Sequence, residues 1–153
     1  MQITYEINKP PGVHEYIDLL RRSNLSQRRP IEDLDCMRGM LENSNLLVTA
    51  RLAEKLVGAA RAVTDFHFCC YLSDLAVDAA YQKRGIGLQL QRLIQVQLKP
   101  NCTIIVLAAP GAAGYYGHIG YTKHQRCWVL SREQQLSPEK ASPQPPADGA
   151  AEL

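Results

Sequence analysis

The sequence predicts a mixed α/β domain with a central, mostly antiparallel sheet, one parallel strand pair and flanking helices. Two observations carry this. Strand-length runs at 3–7, 46–52, 56–64 and 69–77 are either alternating or strongly apolar, and turns or helical patterns separate them. The run at 69–77 then leads through a glycine segment and a helical pattern into another apolar run at 103–109. Strand, helix and strand in succession imply a right-handed crossover and a parallel pair.

With 153 residues, 46% of them apolar, the chain is long enough to bury a core. A net charge of +2 is too mild to imply nucleic-acid binding. No apolar run reaches the roughly 20 residues of a membrane span. The opening MQITYEINKP lacks the basic and apolar regions of a secretion signal. Cys36, Cys69, Cys70, Cys102 and Cys127 form an odd set without a C-x-x-C pair. They are read as reduced thiols, and the expected location is the cytoplasm, with no membrane and no nucleic-acid partner.

In chain order, Ile3, Tyr5 and Ile7 alternate with polar residues and form a first strand. Pro10, Pro11 and Gly12 end it, and Val13 to Arg22 follows with apolar residues at helical spacing. Arg21, Arg22, Arg28 and Arg29 crowd the next loop, a cluster that could draw an acidic partner or simply be solvated. A second helix is expected over 31–42, with Glu32 and Asp33 in its first turn. Leu46 to Leu52, Leu56 to Thr64 and Cys69 to Val77 read as a three-strand meander. Ile86, Leu90, Leu93, Ile94 and Leu98 recur at helical steps. The continuously apolar 103–109 reads as a strand covered on both faces. A short helix is expected over 110–119, closed by Gly120, and a last hairpin over 121–124 and 126–131. From Leu136 the chain is rich in Pro, Ala and Ser with little to bury. The expected organisation is one domain over 1–135 and a disordered tail over 136–153.

The chemistry concentrates between Tyr71 and Leu98. A strand, then Gln82-Lys83-Arg84-Gly85-Ile86-Gly87, then a helix is an arrangement that presents backbone N–H groups and a positive helix terminus to a phosphate. Two phosphate-binding fingerprints fail. A dinucleotide loop requires glycine where Leu90 stands, and a Walker loop requires Lys-Ser/Thr where Leu88-Gln89 stands. What remains is Gln-x-x-Gly-x-Gly after Leu75-Ala76-Val77, followed downstream by Tyr115-Tyr116-Gly117-His118-Ile119-Gly120-Tyr121.

These two motifs resemble those of the GCN5-related N-acetyltransferases (GNAT), and the resemblance covers about 46–131. It implies a GNAT-like sheet that splays open at its parallel pair, with acetyl-coenzyme A as co-substrate, no metal, and an unidentified amine as acceptor. Backbone groups of Leu75, Ala76 and Val77 would hold the coenzyme arm. Gln82, Lys83, Arg84, Gly85, Ile86, Gly87 and Leu88 would hold its pyrophosphate. Tyr116 matches the tyrosine that protonates the departing thiolate, although an aromatic cluster with Tyr115 and Tyr121 is the structural alternative. The base is open. The family often places Glu or His on the strand before the loop, and here Tyr71 and Ser73 stand at those positions. Asp74 is the nearest carboxylate, turned away by strand alternation unless a bulge intervenes. His67 and water are further candidates. An asparagine common in relatives is Ala112 here, so its contact to the coenzyme should be missing. A coenzyme A-binding sensor or interaction module without catalysis is the competing class, and pairing into a homodimer is left open.

Overall fold

A computed structural model describes residues 2–138, and these fall into two compact units, 1–107 and 108 onward. The expected tail therefore lies mostly outside the described residues. In the first unit, β1 (Ile3–Ile7), β2 (Leu46–Leu52), β3 (Lys55–Thr64), β4 (Cys69–Val77) and β5 (Thr103–Ile105) form one sheet in that order. The first three pairings are antiparallel, and β4 with β5 is parallel. This is the mixed sheet that the succession of patterns predicts.

Helix α3 (Ile86–Val96) packs on one face through Ile86, Leu90 and Ile94, against Leu46, Val48 and Ala50 of β2, Ala60 and Ala62 of β3, and Cys70 and Leu72 of β4. Helices α1 (Val13–Arg22) and α2 (Leu34–Glu42) cover the other face. Tyr16, Ile17, Leu19, Leu20, Met37 and Leu41 pack there with Leu56, Ala59 and Ala76. Alternating strand residues thus feed two cores, as a sheet with helices on both sides requires. Helix α3 comes very close to β3 at Gly58. A Cβ built there would lie 3.1 Å from both Ile86 Cγ2 and Leu90 Cδ1.

Three expectations change. Helix α2 begins at Leu34, and Asp33 is its N-cap, its carboxylate accepting from the Cys36 N–H at 2.9 Å. Asp competes well for that role because its side chain satisfies an orphan amide of the first turn. Strand β5 ends at Ile105 rather than at 109, and Thr103 and Ile105 are exposed rather than covered on both faces. Apolar side chains alone do not supply a backbone partner, and the ladder to β4 stops at Tyr71. No strand occurs over 121–131 among the described residues.

The second unit, described by itself, opens with a 3-10 turn (Pro110–Ala112) that runs into α4 (Ala113–His118). Gly120 at φ 108° follows the helix, a conformation glycine adopts without Cβ strain. All five cysteines are unpaired. Among the described residues no helix is long and apolar enough to cross a membrane.

Candidate functional site

The site grows out of an irregularity in β4. Arg61 pairs with Asp74 and Ala62 with Leu72, so Ser73 has no partner on β3. One extra residue in a strand shifts every later side chain to the opposite face. Cys70 and Leu72 accordingly face α3, whereas Ala76 packs with α1 and α2. The bulge puts Asp74 on the same side as Tyr71, the condition under which strand alternation would allow it near a reacting group.

Asp74 is nevertheless fully engaged. Its Oδ2 accepts from Tyr16 Oη at 2.7 Å and Arg61 Nε at 2.6 Å, and its Oδ1 accepts from Arg29 Nε at 2.5 Å. The side chain has no exposed surface. Burial alone would raise the pKa of Asp74. The hydrogen bonds and charges of Arg61, together with Arg29, outweigh it and leave the carboxyl below its ordinary value. Asp74 therefore sits as a buried counter-ion whose oxygens are taken up by Tyr16, Arg61 and Arg29. Tyr16 responds in the other direction, its phenol pushed up by burial and by the Asp74 carboxylate.

Beyond the bulge β4 offers a free edge. Pairing with β5 covers only Cys69 to Tyr71. Asp78 N–H donates to Val57 of β3 at 2.9 Å, so by strand alternation the peptide groups of Leu75 and Val77 face away from β3. Among the described residues no strand pairs with that edge. The Val77 carbonyl accepts instead from the side-chain amide of Gln82 at 3.0 Å, which ties the glycine loop to the end of the strand.

The loop itself is held at its Asp78 end. The Asp78 carboxylate accepts from Ala80 N–H at 3.0 Å and pairs with Arg22 and with Lys55 at 3.2 Å. Burial acts to raise the pKa of Asp78, but the Ala80 N–H and the Lys55 and Arg22 cations bring it below the usual value. A 3-10 turn (Ala79–Tyr81) follows, with the Arg84 guanidinium 5.4 Å from the Tyr81 ring centre. Lys83 stands at φ 61° and Gly85 at φ 79°. Gly85 is the N-cap of α3 and makes no side-chain cap bond. The amides of Ile86, Gly87 and Leu88 belong to the first turn, where a helix has no internal acceptors for them. With the helix dipole behind them, they carry a partial positive charge of the kind that suits an anion.

In the second unit Tyr116 stacks edge-on between Tyr115 and Tyr121, with ring centres 5.3 Å apart in both pairs. Its carbonyl accepts from Tyr121 N–H at 3.0 Å. The aromatic cluster is therefore real, and it holds the Tyr116 ring in a defined orientation. Ala112 lies in the turn that starts this segment. His67 is exposed, and its backbone N–H donates to Asp65 Oδ1.

Sequence reasoning missed the arginines. Arg22 and Arg29, read as part of a basic loop, point inward to Asp78 and Asp74 with 24% and 19% of their side chains exposed. Arg61, in an otherwise apolar strand, was the available signal, since a buried charge in such a run demands a counter-ion.

A bulged sheet edge leading into a glycine-capped helix terminus is the distinctive feature of this mixed α/β domain. The profile of the acetyltransferase (GNAT) domain matches residues 25–128, and the chain belongs to that family. Solved structures share the fold at low identity. A probable acetyltransferase from meticillin-resistant Staphylococcus aureus is 16% identical, with a TM-score of 0.68 over 85% of this chain and 100% of that one. A GNAT family protein from Streptococcus pneumoniae is 19% identical, with a TM-score of 0.65 over 86% and 100%. An aminoglycoside acetyltransferase from an uncultured soil metagenome, solved in complex with sisomicin, is 19% identical, with a TM-score of 0.63 over 87% and 97%. No curated protein matches the chain at the level of sequence.

Proposed function

We propose that this GNAT domain transfers an acetyl group from acetyl-coenzyme A to a primary amine, by direct attack within a ternary complex. The observation that carries the reading is the unpaired edge of β4 running into the Gly85-capped terminus of α3. The amide-bearing arm of the coenzyme adds to that edge as a further strand would, through Leu75 and Val77. Its pyrophosphate meets the amides from Arg84 to Leu88, with Lys83 and Arg84 adding charge. The amine must be neutral to attack, and with Asp74 engaged, water is the group that removes its proton. Tyr116 is the proposed proton donor to the thiolate, on the strength of its motif.

One observation favours a second reading. With no free carboxylate or imidazole at Tyr71, Ser73 or Asp74, the domain suits a coenzyme A-binding module with weak or no catalysis. Turnover of acetyl-coenzyme A with a panel of amines separates the two.

Calorimetry with acetyl-coenzyme A tests the site. Asp tolerates a left-handed backbone better than most residues, so Gly85→Asp keeps the loop while setting a carboxylate at the helix terminus. Binding should fall by at least an order of magnitude, with the melting temperature nearly kept. Equal binding by both proteins would remove the loop from the site. Tyr116→Phe should retain binding and lower kcat by a factor on the order of 10². Full turnover in that variant, where chemistry limits the rate, would exclude the tyrosine.

A further inference from the structure

The Asp74 cluster holds more positive charge than its carboxylate needs. Arg61 Nε and Tyr16 Oη already occupy Oδ2, so Arg61 alone balances the buried charge. Arg29 is a second cation on the same group, brought from the loop between α1 and α2. Charge compensation does not explain it. Its distinctive contact is elsewhere: Nη2 donates to the carbonyl of Ser73 at 2.6 Å. Ser73 is the bulged residue and has no ladder partner on β3. A bulge leaves such a peptide group to be satisfied from outside the sheet, and the planar fork of arginine can hold a carbonyl and a carboxylate together. Nη1 is anchored in turn on the Arg28 carbonyl at 2.6 Å, which fixes the fork to its own loop. Arg61 reaches the same residue from the neighbouring strand, Nη2 to Ser73 Oγ at 2.9 Å, but it rides with the sheet.

We propose that Arg29 is a positioning residue for the free edge of β4: by gripping the Ser73 carbonyl and Asp74 it sets the pitch of the bulge, and so the direction in which the Leu75 and Val77 peptide groups point. Geometry at the bulge propagates along the strand because each later peptide is turned relative to it. A relaxed bulge would misdirect both groups without removing either. The effect on coenzyme binding rests on the acetyltransferase reading above; the grip on the bulge does not.

The test uses the full chain and two readouts. Hydrogen exchange in the absence of ligand, followed at Asp74 and Ala76, whose amides face β3, reports the bulge alone. In Arg29→Met both should lose protection, while core amides at Val48 and Val57 keep theirs. Arg29→Lys retains the charge but not the fork, and should fail to restore protection. Calorimetry with acetyl-coenzyme A should then show affinity reduced about tenfold in both variants, the scale of one charge-assisted hydrogen bond. Unchanged exchange at Asp74 and Ala76 in Arg29→Met, or full rescue by Arg29→Lys, overturns the proposal. A protein whose exchange responds as expected but whose wild type does not bind acetyl-coenzyme A overturns the acetyltransferase reading and leaves the grip established.

Discussion

The two halves of β4 solve the same problem differently. Cys70 and Tyr71 are paired on both sides, with β3 and with β5. Leu72 to Val77 is bonded on one side only, and its bulge is held by Arg29, Arg61 and Tyr16. In the first half the ladder supplies rigidity and consumes the edge. In the second, side chains from three other elements supply it from one face, and the edge stays available. A strand can therefore keep one edge open without fraying, provided that side chains reinforce the single neighbouring strand that holds it.

Removing the anchor should collapse the distinction. Asp74→Ala leaves two guanidinium groups without their carboxylate, one of them nearly buried. Loss of one partner from a buried pair typically costs about 3–5 kcal/mol, and urea denaturation should show a loss on that scale. A change no larger than that of an exposed ion pair would mean that the halves are held alike.

A smaller effect sharpens the comparison through pH. The folded pKa of Asp74 lies below its ordinary 3.8, because the arginines outweigh burial. A depressed carboxylate contributes its stability in full above the unfolded value and loses it as pH falls through the folded one. The isosteric Asp74→Asn lacks that dependence. Its stability deficit against the wild type should therefore narrow as pH falls below the ordinary carboxylate range. A deficit constant with pH would show that the Asp74 charge contributes nothing.

How legible this was depends on sequence distance. The ranges of β2, β4 and α1 follow from local periodicity, and the glycine loop from its own spacing, because each is decided within a few residues. The clamp on Asp74 is not local: Tyr16, Arg29 and Arg61 lie 58, 45 and 13 positions away. Nothing in the loop 23–30 distinguishes Arg29, which turns inward, from its neighbours. The run at 103–109 misled for the opposite reason, since its composition is uniform and only the divergence from β4 ends the strand. The bulge at Ser73 was foreseen only as a condition, because a single strand does not reveal the register of its partner.

The closeness of α3 to Gly58 has a consequence for how this domain tolerates change. Ile86, which a methyl group at position 58 would crowd, is also the first residue of the helix whose amides face the proposed phosphate. A Gly58→Ala change would ask Ile86 and Leu90 to retreat by a few tenths of an ångström. The atoms crowded are side-chain methyls, so the strain falls first on the packing of α3 against β3. The spacing between sheet and helix is thus set by a hydrogen atom on a central strand. Under the proposed function, Gly58→Ala is expected to alter acetyl-coenzyme A affinity, measured by calorimetry, because Ile86 opens the helix beside the proposed phosphate.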